Sequence, residues 1–197
     1  MQVVSAVNSC RAQTSAVSRA DRERLNGHQG KVVWFTGLSG AGKSTLANSL
    51  EAVLHEKGIR TFILDGDKLR LGLNKDLGFA VADRVENMRR IVEVAQILLN
   101  AGIVVLVASI APFAKERERA RSLIGSAHFL EVYVNTPIEI CEQRDVKGLY
   151  KKAREQKISN MTGISSPYEV PDSPSYIARY EVSMVQTVRE LLELIVI

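Results

Sequence analysis

Eight consecutive residues, Gly37-Leu38-Ser39-Gly40-Ala41-Gly42-Lys43-Ser44, carry the most specific chemistry in this 197-residue chain. Their types and spacing are those of a phosphate-binding loop, G-x-x-x-x-G-K-[ST]. Glycines let the backbone wrap close to a polyphosphate, so that consecutive N–H groups and a helix N-terminus face its charge. In such a loop Lys43 reaches the β- and γ-phosphates, and the Ser44 hydroxyl ligates Mg²⁺. The flanks fit the same reading. KVVWFT at 31–36 has the character of a buried strand, and residues 44–57 that of a helix ended by Gly58 as its C′ residue. A nucleotide-binding protein follows.

A phosphate loop alone does not separate motors, switches and kinases. Here a second apolar strand, 60–64, ends in Asp65-Gly66-Asp67, and arginines follow at Arg70, Arg84, Arg89 and Arg90. Phosphoryl transfer needs positioning and charge neutralisation more than covalent help. An acid near the γ-phosphate can hold Mg²⁺ through water or accept the proton of an attacking hydroxyl. Arginines supply forked donors for the anionic groups of an acceptor. Arg84 and Asn87 lie about one turn apart on a helix and can address one ligand from the flank of its apolar face. Phe79, in a Gly-containing loop, suits a stacking platform for a base, although pattern alone puts it in the core. The basic run Arg144, Lys147, Lys151, Lys152, Arg154, Lys157 precedes Asn160-Met161-Thr162-Gly163. That order suits a lid closing over phosphates; a solvated helix face is the alternative.

These groups need a scaffold, and the hydrophobic pattern supplies one. Residues 21–25 form one helical turn before Asn26-Gly27 breaks it. After the two strands already named, a helical segment at 68–73 leads into a loop over 74–82. Asp83 is the expected N-cap of a long helix, with Glu86 completing a capping box. Val85, Met88, Val92, Ala95 and Leu99 share one face of that helix, which Ala101-Gly102 stops. IVVLVA at 103–108 is apolar throughout, as a central parallel strand should be. Residues 114–123 read as a charged surface helix and 129–134 as a strand. Thr136-Pro137-x-Glu139 then presents N-cap, N1 and N3 residues of a further helix. A strand and helix close the chain over 177–197. Alternating strands and helices imply a three-layer α/β fold, a mostly parallel central sheet flanked by helices. Ligands of such sheets bind at the carboxyl ends of the strands. The phosphate loop and Asp65-Gly66-Asp67 therefore belong in one crevice.

Composition sets the outer limits. The length suits a single domain, taken as 21–197 behind a flexible leader over 1–20. With 26 Lys+Arg against 22 Asp+Glu, the net charge of +4 is too mild to argue for nucleic acid but suits an anionic small molecule. No apolar run reaches the roughly 18 residues of a membrane span. Cys10 and Cys141 make a poor disulfide pair, so reduced thiols are expected. The leader has Arg11, Arg19, several serines and no acid before Asp21, a composition shared with organelle transit peptides. Its weak amphipathic character favours a cytoplasmic protein instead.

The chain also closely resembles the adenylyl-sulfate kinases (APS kinases). The resemblance rests on GLSGAGKST at 37–45, ILDGD at 63–67, LNKDLGF at 73–79, DRVENMRR at 83–90, RDVKGLYKKAR at 144–154 and TGISSPYE at 162–169. It implies a P-loop kinase fold and transfer of the γ-phosphate of ATP to the 3′-hydroxyl of adenosine 5′-phosphosulfate (APS), giving PAPS, with Mg²⁺ as cofactor. It implies further that residues from Gly37 through Thr45 hold the ATP phosphates, and that Asp65 and Asp67 take the magnesium and base roles. Arg70, Arg84 and Asn87 would bind the phosphosulfate and ribose of APS, with Phe79 stacking its adenine. Ile110, Ala111, Lys147, Asn160 and Met161 would line the same pocket, and Arg144 would belong to a lid over about 144–171. A homodimer is the usual assembly of the family.

Some positions depart from the family pattern. Ala111 stands where a serine is usual, so no phosphoenzyme can form there. Lys68 and Leu71 replace an asparagine and a histidine, Met161 a phenylalanine of the adenine sandwich, and Ser165 an aspartate. These changes motivate an alternative, a catalytically weakened nucleotide-binding regulatory module on the same fold.

Overall fold

The computed structural model describes residues 16–195. Most of the leader expected over 1–20, and Cys10 with it, lies outside the described residues. Arg19 and Ala20 already belong to the first helix, α1 (Arg19–Asn26). That helix is two turns rather than one because Ser18 caps it. The Ser18 hydroxyl accepts from the Asp21 amide while the Asp21 carboxylate accepts from the Ser18 amide, a reciprocal pair that satisfies two orphan donors.

The remaining elements run β1 (Lys31–Thr36), α2 (Lys43–Glu56), β2 (Thr61–Asp65), α3 (Gly66–Leu69), α4 (Val81–Asn100), β3 (Val104–Ala108), α5 (Ala114–Ile124), β4 (Phe129–Asn135), α6 (Ile138–Arg144), α7 (Leu149–Arg154), β5 (Tyr176–Arg179) and α8 (Met184–Leu194). The five strands form one sheet in the order β2-β3-β1-β4-β5, every neighbouring pair parallel. Parallel strands need crossovers, and the intervening helices cover both faces. Val33, Phe35, Val104 and Leu106 face one layer with Leu46, Leu50 and Leu54 of α2 and Leu191 of α8. Val32, Trp34, Val105 and Val107 face the other with Met88, Ile91, Val92, Ala95 and Leu99 of α4. Alternate residues of one strand thus feed two cores, which is why these strands read as continuous apolar runs.

Four local expectations change. The helix α4 starts at Val81 with Ala80 as a cap that makes no side-chain bond. Asp83 therefore lies in its first turn, and Glu86 is claimed by Arg89 and Arg90 instead. Val85 is only half-buried and Ile91 takes its place on the inner face. Thr136 does not cap α6; its hydroxyl donates to the Ala41 carbonyl at 2.8 Å, tying that turn to the phosphate loop. The 114–123 helix is not wholly surface, since Arg117 is buried on its inner side. Among the described residues no helix is long and apolar enough to cross a membrane.

The β1–α2 turn is packed too closely for a side chain at its first residue. Gly37 has φ of 149°, and a Cβ there would lie 2.6 Å from the Val134 carbonyl oxygen. Gly37→Ala is expected to cost more than about 2 kcal/mol, combining backbone strain with the clash, as a lowered midpoint in urea unfolding would report.

Candidate active site

The carboxyl ends of β1, β2 and β3 open into one crevice of about 670 Å³. Register explains the meeting. Asp65 pairs with Ala108, and Phe35 pairs with the same residue from the other side, so the loops leaving all three strands emerge side by side. Gly40 and Gly42 turn the chain with φ of 76° and 106° and deliver it to the N-terminus of α2, which no side chain caps. Ser39, Gly40, Ala41, Gly42, Lys43, Ser44 and Thr45 all line the crevice. Gly37 and Leu38 sit behind them and act through their carbonyls.

Those carbonyls hold Lys43. Its ammonium donates to the Gly37 oxygen at 2.9 Å and to the Leu38 oxygen at 2.7 Å. Burial pushes the Lys43 pKa down to about 8, with Asp67 opposing that shift and Lys147 adding to it. The Ser44 hydroxyl donates to Asp65 Oδ2 at 2.6 Å. The other Asp65 oxygen accepts from the amides of Asp67 and Lys68, making Asp65 the N-cap of α3. Burial works against ionisation of Asp65, but the Ser44 bond, the two amides and Lys147 outweigh it and hold the carboxyl below its ordinary range. Asp65 is thus a fixed anion behind Ser44. A hydroxyl and a carboxylate are hard oxygen donors, and Mg²⁺ takes one or two such groups with substrate phosphates completing its shell, so this pair fits that cation. Asp67 is different: its side chain is 66% exposed and pairs with Lys147 across the crevice mouth.

The opposite wall carries two guanidiniums, and the carboxylates of Asp67 and Asp83 offset part of the burial cost at Arg70 without bonding it. Arg84, buried on α4, donates to the Phe79 carbonyl at 2.9 Å, to Thr162 Oγ1 at 2.6 Å and to the Asn160 carbonyl. Arg70 donates to the carbonyls of Leu77 and Gly78. Among the described residues neither arginine bonds a carboxylate. Burial lowers the pKa of both, and for Arg84 the like charge of Arg70 adds to it. Two close guanidiniums satisfied by neutral oxygens leave positive charge that an anionic ligand would compensate. The Phe79 ring is 59% exposed rather than in the core, with the Arg70 guanidinium 4.5 Å from its centroid. Asn87 accepts from Asn74, which is fully buried although it lies outside any helix or strand.

Ile110 and Ala111 line the crevice beside these groups, as do Arg144, Lys147, Asn160 and Met161 from the 144–171 segment. Arg144 donates to the Gly40 carbonyl at 3.0 Å and lies over Tyr180. Tyr150 donates to the Ser39 carbonyl at 2.8 Å, a phosphate-loop contact that an aromatic amid basic residues could have suggested. The Ser165 hydroxyl accepts from the Met161 amide, a turn contact an aspartate could also make. Arg89 and Arg90 do not join the site; they pair with Glu86 and Asp76 on the outer side of α4. Lys151, Lys152, Arg154 and Lys157 also remain outside it.

A parallel sheet with this loop, this lysine and this Ser–Asp pair defines a P-loop kinase. A family model described as adenylylsulphate kinase matches residues 29–179. An adenylyl-sulfate kinase of Citrobacter koseri is 54% identical over 180 residues, 91% of this chain and 90% of its own length. A Bacillus subtilis protein named probable adenylyl-sulfate kinase is 50% identical over 90% of this chain and 89% of its own. The solved Mycobacterium tuberculosis APS kinase CysC, in complex with AMPPNP and APS, superposes with a TM-score of 0.81 at 49% identity, covering 84% of this chain and 97% of that one. The chain belongs to the adenylylsulphate kinase family.

The depressed Lys43 amine gives a pH signature. A bound triphosphate favours the charged form, so binding at pH 8 should take up as much as about half a proton at this lysine. Near pH 6.5, where the amine is already charged, that contribution should vanish. Calorimetric titration with nucleotide in two buffers of different ionisation enthalpy, set against a Lys43→Met control, checks it.

Proposed function

We propose that this chain is a Mg-ATP-dependent kinase that transfers the γ-phosphate of ATP to the 3′-hydroxyl of adenosine 5′-phosphosulfate, giving ADP and PAPS. One observation carries the reading. The phosphate loop, with Lys43 and the Ser44–Asp65 pair, shares one crevice with two arginines that bond no carboxylate among the described residues, and Asp67 of the same crevice pairs with Lys147.

The donor nucleotide would lie along the loop, its phosphates meeting the backbone amides and the N-terminus of α2. Lys43 would leave the Gly37 and Leu38 carbonyls for the phosphate oxygens, an exchange of partners over a short reach. Ser44 and Asp65 would hold Mg²⁺, which supplies neutralisation of the β- and γ-phosphate oxygens when bound. Arg70 and Arg84 would take the phosphosulfate, Asn87 the ribose, and Phe79 one face of the adenine. Met161 lies inward, only 6% exposed, so it would offer that base the edge of a thioether rather than a second ring. Asp67 would accept the 3′-hydroxyl proton, since Asp65 is committed to amides and to Ser44. That assignment also requires Lys147 to release Asp67.

The segment over 144–171 would act as the lid. It reaches both sides, through Arg144 to the loop and through Asn160 and Thr162 to Arg84. It also holds three residues other than glycine with positive φ, namely Asp145, Gln156 and Asn160. Such backbone persists where the surroundings impose it and is found at switch regions. Residues 21–197 would form one catalytic unit, working as a homodimer in the cytoplasm, where buried Cys141 stays reduced.

Incubation with Mg-ATP and APS should yield PAPS, read by chromatography. Tight binding of APS or PAPS without turnover would instead support the regulatory-module alternative. Lys43→Ala should lower kcat by at least about a thousandfold, because the transferring phosphate loses its fixed cation. Ala111→Ser should change kcat by less than about tenfold, or 1.4 kcal/mol, because in-line transfer needs no hydroxyl there. Both follow from steady-state rates.

A further inference from the structure

Ile110, Ala111 and Pro112 leave the carboxyl end of β3 and line the crevice beside Arg84 and Asn87. Their three consecutive carbonyls are held by three different parts of the chain. The Ile110 oxygen accepts from Thr36 Oγ1 at 2.7 Å. The Ala111 oxygen accepts from Arg117 Nη1 at 2.7 Å. The Pro112 oxygen accepts from the Glu169 amide at 2.9 Å. Between the first and third, Ala111 adopts φ of 46°, a left-handed conformation that a residue with a Cβ keeps only when its neighbours impose it.

Arg117 reaches further than this loop. It is 3% exposed, and its Nη2 donates to the Glu169 carbonyl at 2.7 Å. Its Nε lies 2.9 Å from Glu131, a buried carboxylate on β4 that Arg121 also contacts. The guanidinium carbon is 5.9 Å from the centroid of Tyr168, whose hydroxyl is 3.0 Å from Thr36 Oγ1. The Glu169 carboxylate in turn accepts from the Ala114 amide. One cation therefore joins the loop after β3, the distal end of the 144–171 segment and β4. The set touches the phosphate loop at one point, where the Gly37 amide donates to the Ile110 oxygen at 3.5 Å; among the described residues Arg117 itself makes no bond to that loop.

We propose that Arg117 is a positioning residue for the acceptor side of the site, fixing the 110–112 loop and the anchor of the lid in one geometry. The proposal rests on the kinase reading above and assigns to that reaction a residue that touches neither substrate. Arginine is needed because a planar fork presents donors in three directions at once, whereas a lysine ammonium is a single point charge. Loss of an ion pair serving stability alone would lower the melting temperature and leave the two substrates equally affected. Arg117 should separate them.

The experiment uses the full chain with Arg117→Lys, which keeps the charge opposite Glu131 but loses the fork. The KM for APS is expected to rise by about tenfold, the size of one lost charge-assisted hydrogen bond. The KM for ATP should stay within about twofold. In hydrogen exchange without substrates, amides at 110–114 and 166–170 should lose protection while those at 38–46 keep it. Glu131→Gln, which removes the charge orienting the guanidinium, is the second variant should Arg117→Lys not fold. It should act in the same direction by about threefold. Equal rises in both KM values, or an unchanged KM for APS with unchanged exchange, would overturn the proposal. If the unaltered chain makes no PAPS, the kinase reading fails, and the exchange comparison alone decides the positioning role.

Discussion

Two nearly buried cations, Lys43 and Arg84, define what the crevice can hold. Lys43 donates to the carbonyls of Gly37 and Leu38, and Arg84 to those of Phe79 and Asn160 and to the Thr162 hydroxyl. A buried charge whose hydrogen bonds go to neutral oxygens is costly, and the fold tolerates it because an anion can complete the arrangement. The depressed pKa of Lys43 is the sign of that cost. Ligand phosphates or sulfates would replace bonds the two side chains already make, so the geometry is ready before a ligand arrives. Preorganised cations of this kind are the main resource a protein brings to phosphoryl transfer.

Everything else in the fold serves to place these charges. Parallel pairing of β2-β3-β1 brings three loops to one edge, and the two cores clamp the sheet so that its edge is rigid. The donor side is then built from backbone, with glycines and the uncapped start of α2. The acceptor side is built from side chains of α4 and from a loop whose carbonyls are all bonded elsewhere. Between the sides, Asp65 and Asp67 share one turn but not one environment. Two amides and Ser44 hold the first as an anion, and the second faces Lys147 in partial contact with solvent. That difference divides their proposed work between magnesium and proton.

The departures from the family pattern can be weighed by what surrounds them. Ala111 sits in a buried loop held by Thr36, Arg117 and Glu169, so its missing hydroxyl removes no support the loop needs. Met161 is packed into the core beneath the crevice, where a flexible thioether fills irregular space. Leu71 is 84% exposed and Lys68 is also at the surface. Nothing in the structure explains why a leucine stands there.

Sequence alone determined the elements whose signals are local. The phosphate loop, the apolar strands on both sides of it and the acids ending β2 follow from residue type and spacing, because backbone wrapping and strand burial depend on near neighbours. Fold class followed from their alternation. Tertiary structure decided where competition between distant partners sets the outcome. Glu86 caps no helix because two arginines claim it, Thr136 caps none because its hydroxyl donates to the Ala41 carbonyl, and Phe79 stays out of the core with Arg70 over its ring. Arg117 was hidden in a charged helix and Glu131 in an apolar strand. Glu131 marks a position where a charge interrupts a buried pattern, and only its contact with Arg117 of α5 shows what answers it.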